Sequence, residues 1–589
     1  MRIAVVLRDR CQPKKCSREC IKFCPKVRTG VEVIEIGEKG KPVISEDLCV
    51  GCGICVNKCP FEAIKIIGLP DELEEEMVHQ YGLNAFRLYR LPVPKPGMVV
   101  GVLGPNGIGK STALKLLSGQ ETPNLGRYED PPTREEVLEH FAGTELHDYL
   151  KRLFNGKITT SLKPQYVDKL PRVHQGMVRD LLDKVAERMT VEEAVELMDL
   201  SEAVDRDIAK LSGGELQRVA LAATILKDSD VYFFDEPSSY LDIYQRIKVA
   251  RAIRDLSQER EVMVIEHDLA ILDFLADNVY LVYGSEGAFG VFAHPRQVRT
   301  SINAYLDGYL REENIRFRET RIEFETHPPR QEWGTGSLIE YGRLGMDFDH
   351  FALEVEPGRI KMGETVGVVG PNAIGKTTFV KMLAGVMEPT RGEVDGSVQV
   401  SYKPQYIDPD FEGTVRELFL LQAQEFFDSG FFETEVSHPL ALKHLFEKRV
   451  KNLSGGELQR AAIALCLARD ADLYLLDEPS AYLDSSQRMQ AAKTVRRVME
   501  KRGRSGLVVD HDTYFIDMVS DSLMVFSGEP GESGTARGPF HMREGMNMFL
   551  RELDITFRRD NETKRPRINK PDSRLDREQK SKGEYYYSE

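Results

Sequence analysis

Residues 104–112 read GPNGIGKST, and residues 370–378 read GPNAIGKTT. Each stretch follows an apolar strand-like run, VVGVL or TVGVV, and precedes a helix-like run, ALKLLSG or FVKMLAG. Strand, glycine-rich turn and helix N-terminus make a phosphate cradle. Backbone N–H groups wrap the phosphates, and the helix dipole favours their negative charge. The pattern assigns phosphate contact to Gly104, Pro105, Asn106, Gly107, Ile108, Gly109, Lys110, Ser111 and Thr112. The second copy supplies Gly370, Pro371, Asn372, Ala373, Ile374, Gly375, Lys376, Thr377 and Thr378. Lys110 and Lys376 reach the β- and γ-phosphates, while the Ser111 and Thr377 hydroxyls are placed to ligate Mg²⁺. One match could arise by chance; two within a longer repeat could not.

The repeat continues downstream in the same order. Gln165 lies in LKPQYVD and Gln405 in YKPQYID; LSGGELQR occupies 211–218 and again 453–460. VYFFDEPSSYLD (231–242) matches LYLLDEPSAYLD (473–484), and IEHD with His267 matches VDHD with His511. Asp235 and Asp477 end apolar strand-like runs and are placed to hold Mg²⁺, with Gln165 and Gln405 as further ligands. Glu236 and Glu478, one residue on, are placed to orient or deprotonate an attacking water. His267 and His511 are candidates to contact the γ-phosphate and sense its loss.

These paired motifs resemble tandem ATP-binding-cassette (ABC) nucleotide domains. The resemblance implies that each LSGGE caps the γ-phosphate held by the opposite cassette. Ser212, Gly213 and Gly214 then complete the site of Lys376, and Ser454, Gly455 and Gly456 that of Lys110. It also implies an interface lined by Asp242 and Asp484, a monomeric chain whose cassettes pair with each other, and ATP hydrolysis at both composite sites. Candidate aromatics for the adenine are Tyr81 and Phe86 before the first phosphate loop and Tyr341 before the second.

Eight of the nine cysteines fall within the first 59 residues. Cys49-x2-Cys52-x2-Cys55-x3-Cys59-Pro60 is the bacterial ferredoxin run, in which the fourth cysteine ligates the other of two [4Fe–4S] clusters. Cys11-x4-Cys16-x3-Cys20-x3-Cys24-Pro25 is a looser copy. Cross-ligation groups Cys49, Cys52 and Cys55 with Cys24, and Cys11, Cys16 and Cys20 with Cys59. Two tetrathiolate zinc sites are the rival reading. Cys466, in AAIALCLA, reads as a small core residue.

Spacing locates what differs between the halves. Lys110 to Gln165 spans 55 residues but Lys376 to Gln405 only 29, an excess of 26 in the first half. The segment 131–156 fits that excess and reads as two short helices. Thr133 and Glu136 form a capping box, and Leu146, Leu150, Leu153 and Phe154 an apolar stripe. A second repeat, SINAYLDGYLREENIRFR (301–318) and GMNMFLRELDITFRRD (545–560), follows the cassettes as a pair of hinges.

The 589 residues are 41% hydrophobic and 29% charged, the balance of a soluble, multidomain protein. No run approaches the ~18 apolar residues of a membrane span. The first residues do not read as a signal peptide. The expected location is therefore cytoplasmic. Net charge is −15, yet residues 1–30 hold nine Lys or Arg against two acids. Short loops and a Lys/Glu-rich surface lean towards an archaeal thermophile.

Ferredoxin-like cysteines before two cassettes, an insertion in the first, and paired hinges resemble the RNase L inhibitor family. This is subfamily E of the ABC proteins, whose members act as ribosome-recycling factors. The implied fold class is α/β, an N-terminal ferredoxin-like iron–sulfur domain followed by two ABC-type nucleotide-binding domains. The expected boundaries are 1–70 for the iron–sulfur domain, 71–293 for the first cassette and 294–322 for the first hinge. The second cassette then spans 323–538 and the second hinge 539–565, leaving 566–589 as a polar, disordered tail.

The implied cofactors are ATP, Mg²⁺ and two [4Fe–4S] clusters. The implied partners are the ribosome, chiefly its small subunit and rRNA, and a release factor or Pelota; no membrane is involved. Closure of the cassettes on ATP would swing the iron–sulfur domain between the ribosomal subunits and split them. The basic N-terminal patch, with Arg311, Arg316 and Arg318 of the first hinge, is placed to meet RNA phosphate. An electron-transfer protein would be expected to carry a flavin or nicotinamide motif, and none is found. A transporter's coupling ATPase has no use for ferredoxin cysteines, and a DNA-repair ATPase would need a long coiled-coil insertion.

Overall fold

The computed structural model describes residues 2–37, 40–70, 73, 75–324, 336–394, 398–405 and 410–586. The chain forms two compact units. The first comprises Met1–Pro237, Arg251–His267 and Leu275–Glu319; the second comprises Ser238–Ala250, Asp268–Phe274 and Thr320–Glu589. Among the described residues no helix is long and apolar enough to cross a membrane.

The first unit opens on strands Arg2–Val6 and Ile64–Gly68, paired antiparallel, and a second pair, Ile34–Ile36 with Pro42–Ile44. The short helices Glu19–Lys22, Pro25–Arg28 and Ile54–Lys58 hold Cys20 and Cys55, with Cys24 and Cys59 at helix ends. This part is pinned to the first cassette by polar side chains. The Asn84 amide donates to the carbonyls of Ala4 (3.0 Å) and Ile44 (2.9 Å) and accepts the Ile44 N–H. Lys65 Nζ donates to Ser285 Oγ (2.9 Å) and to the Glu286 carbonyl (2.7 Å).

The cassettes are built alike. In the first, strands Asn278–Ser285, Val99–Leu103, Glu261–Ile265, Val231–Asp235 and Thr160–Lys163 lie side by side and parallel. In the second the corresponding order is Ser522–Glu529, Thr365–Val369, Ser505–Val509, Leu473–Asp477 and Val400–Lys403. Val99–Leu103, Val231–Asp235 and Glu261–Ile265 are buried along their whole length, as expected of parallel strands covered on both faces. The phosphate loops, the glutamines, the Asp–Glu pairs and the histidines all fall at or just beyond the carboxyl ends of these strands, where open α/β sheets bind ligands.

The insertion forms helices Arg134–His140 and Glu145–Phe154. The Thr133–Glu136 capping box is present, with Glu136 Oε2 accepting the Thr133 N–H at 2.7 Å. Leu146, Tyr149 and Leu150 are buried in the cassette core, with Leu153 and Phe154 packed against it. The Tyr149 hydroxyl donates to the Leu117 carbonyl (2.7 Å), tying the hairpin to the helix after the phosphate loop.

The hinge repeats share one pattern. Helix Val298–Asp307 leads into the antiparallel pair Tyr309–Leu310 and Ile315–Arg316. Helix Met542–Glu552 leads into Phe557–Arg559 and Pro566–Ile568. Gly308 closes the first helix at φ +72°, and a Cβ there would lie 2.8 Å from the Arg318 carbonyl oxygen, so the turn requires glycine.

The expectation of a disordered tail is corrected. Pro566–Ile568 is paired strand, and residues Arg574–Lys582 form a helix capped by Ser573. The tail is mostly polar, yet it buries Ile568 and Tyr586 and pairs its buried polar groups with the hinge that precedes it. Thr556 donates to Asp576 Oδ1 (2.6 Å), and Asn569 Nδ2 donates to Thr556 Oγ1 (2.8 Å). Arg565, fully buried, bonds Asp273 Oδ2 at 2.9 Å. Composition underestimates order where polar groups pair with one another.

Candidate functional site

The two phosphate loops are nearly the same object. Helices Lys110–Leu117 and Lys376–Leu383 start from Gly109 (φ +89°) and Gly375 (φ +91°). A Cβ on Gly109 would sit 2.6 Å from the Phe86 ring, so glycine is required by space as well as conformation. Lys110 Nζ donates to the carbonyls of Gly104 (2.8 Å) and Pro105 (2.6 Å), and Lys376 Nζ to those of Gly370 (3.0 Å) and Pro371. Burial pulls the Lys376 ammonium down to about 8, partly offset by Asp242, Glu478 and Asp477.

Beside each loop the candidate Mg²⁺ ligands meet. Ser111 Oγ donates to Asp235 Oδ2 at 2.6 Å, and Thr377 Oγ1 donates to Asp477 Oδ2 at 2.8 Å. Burial pushes both aspartates up to about 6, against the pull of the hydroxyl hydrogen bond and of the neighbouring lysines. A buried carboxylate held this high gains most from a cation.

Gln165, Glu236 and His267 converge. Gln165 Nε2 donates to Glu236 Oε1 at 2.6 Å, and His267 Nε2 lies 3.4 Å from the same oxygen. In the second unit Gln405 Nε2 donates to Glu478 Oε1 at 2.7 Å, and His511 Nε2 lies 3.6 Å away. Burial raises the Glu478 carboxyl, but His511, the Gln405 amide and Lys376 outweigh it and hold the group at about 2. It is ionised at neutral pH, as a group that orients or deprotonates water must be.

The signature motifs sit at helix N-termini. Ser212 caps Gly213–Leu226 and Ser454 caps Gly455–Ala468, each through a capping box with Glu215 or Glu457. The helix N-terminus in each is suited to an anion. Asp242 accepts the Asn372 N–H at Oδ2 (2.8 Å) within the second unit, beside the second phosphate loop. Asp484 caps helix Ser485–Arg502.

The eight N-terminal cysteines are all free thiols and fall into two groups. Cys24, Cys49, Cys52 and Cys55 border a recess that is otherwise walled largely by apolar side chains, Val33, Ile34, Ile44 and Ile66 among them. Burial pushes Cys55 up to about 12, and the nearby Cys49, Cys52 and Cys24 add to the rise. Burial likewise pushes Cys20 up to about 11, with Cys59, Cys16 and Cys11 as its charged neighbours. Crowded, desolvated thiols resist ionisation, and a positively charged iron centre removes that penalty. The donor set and the apolar wall thus fit an iron–sulfur cluster. Among the described residues no three His, Cys, Asp or Glu side chains converge on a single ion.

Residues 94–239 and 357–481 match the ABC transporter family. Residues 1–32 match the possible Fer4-like domain of RNase L inhibitor, and 42–65 the 4Fe–4S binding domain. The translation initiation factor RLI1 of Saccharomyces cerevisiae is 44% identical, covering 100% of this chain and 98% of its own. The chain belongs to the RNase L inhibitor family, the E family of ABC proteins. A model of ribosome-bound archaeal Pelota and ABCE1 contains a chain 54% identical, with a TM-score of 0.94 over 100% of this chain and 99% of that one. A crystal structure of archaeal ribosome recycling factor aABCE1 with the ribosomal stalk protein aP1 is also 54% identical. Its TM-score is 0.84, over 88% of this chain and 100% of that one. As a member of this family, with two ABC domains and Fer4-type domains, the chain is an ATPase that binds nucleotide and [4Fe–4S].

Two features escaped sequence reading. Tyr341 is buried in the core, its ring 5.7 Å from that of Phe379 on the helix after the phosphate loop, whereas Phe351 packs against Gly375 as Phe86 packs against Gly109. The near-equal separations of those two pairs were the available signal. The exposed Tyr81 lies beside the first loop, its hydroxyl 3.2 Å from Thr112 Oγ1. Lys163 and Lys403, two residues before each glutamine, are fully buried behind the glutamates. Cys466 is a core residue, its thiol 3.4 Å from Ser401 Oγ.

Proposed function

We propose that this chain splits ribosomes into large and small subunits after termination or rescue, driven by ATP, and then stays on the small subunit until hydrolysis releases it. The observation that carries this reading is the joint presence of two complete nucleotide sites and a ferredoxin-like cysteine domain fixed to the first cassette. No transporter ATPase needs the second part.

Glu236 and Glu478 are assigned as general bases, with His267 and His511 contacting the γ-phosphate. Ser111, Gln165 and Asp235, and Thr377, Gln405 and Asp477, are assigned to Mg²⁺, which when bound neutralises charge developing on the phosphates. Ser212–Gly214 and Ser454–Gly456 donate N–H groups to γ-phosphates in the crossed pairing that the family likeness implies. Asp242 and Asp484 are assigned to the same interface. Cys24, Cys49, Cys52 and Cys55 hold one [4Fe–4S] cluster, and Cys11, Cys16, Cys20 and Cys59 the second. The clusters stiffen a domain that acts as a wedge. We further propose a cytoplasmic monomer whose partners are the small subunit with its rRNA and a release factor or Pelota.

The test is sedimentation of anaerobically purified protein with cognate ribosomes through a sucrose gradient. With a non-hydrolysable ATP analogue the protein comigrates with the small subunit. With release factor and ATP the joined-ribosome peak is lost. Protein that stays at the top of the gradient under every condition overturns the reading.

A further inference from the structure

Glu236 and Glu478 have left-handed backbone, at φ +49° and φ +48°. A bulky residue keeps that conformation only where its surroundings enforce it. The same two side chains do so in each unit. Lys163 Nζ donates to the carbonyls of Asp235 (2.9 Å) and Glu236 (3.2 Å), and Gln217 Nε2 donates to that of Glu236 at 2.8 Å. Lys403 Nζ donates to the carbonyls of Asp477 (2.6 Å) and Glu478 (3.2 Å), and Gln459 Nε2 to that of Glu478 at 2.7 Å.

Lys163 and Lys403 are 0% and 1% exposed. Burying an ammonium is costly unless it is well partnered. Each faces an acidic group: Asp235, Glu236 and Glu266 in the first unit, and Asp477, Glu478 and Asp510 in the second. Each ends a strand in which an apolar side chain would pack without that cost. The same costly choice made twice, two residues before Gln165 and Gln405, answers a need other than packing.

We propose that Lys163 and Lys403 are positioning residues for hydrolysis. Each clamps the backbone carbonyls of its Asp–Glu pair so that the glutamate carboxylate meets the attacking water. It also fixes the strand end that carries the glutamine holding that carboxylate. The inference rests on the assignment of Glu236 and Glu478 as general bases, and it concerns backbone pose rather than nucleotide contact.

The experiment compares the holoprotein with the double variant Lys163→Met and Lys403→Met, measuring ATP affinity and kcat separately. The expected result is a kcat lower by roughly ten-fold or more, because small misplacements of catalytic groups are that expensive. Nucleotide affinity stays within about two-fold, since the phosphate loops are untouched. An unchanged kcat, or equal losses in kcat and affinity, overturns the proposal. Lys163→Gln with Lys403→Gln is read by the same split if the methionine pair does not fold. Glu236→Gln with Glu478→Gln is run alongside. If that pair also leaves turnover intact, the base assignment fails; if only the lysine pair does, the positioning role alone fails.

Discussion

The two nucleotide sites differ less in their chemistry than in what is attached to them. The hydroxyl–aspartate bonds are 2.6 and 2.8 Å, and the glutamine–glutamate bonds 2.6 and 2.7 Å. Even the left-handed glutamates repeat within a degree. Around them the units diverge. Among the described residues only the first phosphate loop is followed by a helical hairpin packed on its cassette core, and the cysteine domain is bonded to the first cassette through Asn84 and Lys65. Within the loops, Gly107 (φ +71°) is replaced by Ala373, which accepts a left-handed φ of +58°. Duplicated geometry with unequal surroundings fits the proposal that both sites work by one mechanism.

The strongest challenge to that equivalence is removal of the glutamates. Glu236→Gln with Glu478→Gln is expected to cut ATP turnover by about 10²–10⁴-fold, the usual contribution of a positioned general base. Each single variant should leave the other site competent, and trapping of nucleotide at the altered site alone would show it. Turnover unchanged in the double variant removes the assignment. Unequal loss from the singles would show that equal geometry conceals unequal rates.

Much of this was legible because the phosphate chemistry demands particular residues at fixed spacing. The loop glycines, the lysine and the Asp–Glu pair are contiguous motifs, so their repetition was visible without any fold. The two cysteine runs were legible for the same reason. What sequence did not disclose depends on contacts between distant segments. Tyr341 precedes its loop as plausibly as Phe351 does, and only the sheet register buries one and presents the other. The tail read as disordered because order was judged by apolar content, whereas Asn569 and Asp576 are held by polar bonds to Thr556. Lys163 stood in plain view in LKPQYVD, but its burial appears only once the strand is packed.

A second, smaller effect should separate stability from function at both sites. Asp235 and Asp477 are held at about 6, above the ordinary carboxylate value near 4. A raised folded value means that ionisation is resisted in the folded state. Stability is therefore lost as pH rises between about 4 and 6, and the full cost is present above 6. Asp235→Asn and Asp477→Asn should each stabilise the nucleotide-free protein at pH 7 by on the order of 1–2 kcal/mol, while weakening Mg²⁺-dependent turnover. Calorimetry at pH 5 and pH 7 checks this, the gain being larger at pH 7. A variant that melts lower than the parent at pH 7 contradicts the burial argument.

The smallest expected effect probes the unequal attachment directly. In both units a turn donates an N–H to the phosphate loop: Gly287 to the Gly107 carbonyl at 2.8 Å, and Gly531 to that of Ala373 at 2.9 Å. Among the described residues the first turn alone is gripped from the cysteine domain, by Lys65 on Ser285 and Glu286 and by Arg10, 3.6 Å from Glu286. Lys65→Ala removes two hydrogen bonds, an expected local loss of about 1 kcal/mol. Hydrogen exchange should quicken at 285–287 and along strand Ile64–Gly68, and stay unchanged at 529–531. Because Gly107 shares the loosened turn, nucleotide should also leave the first site slightly sooner, with no change at the second. Equal acceleration at both turns would mean that the cysteine domain is not what distinguishes the sites. The difference would then have to be sought in the helical hairpin.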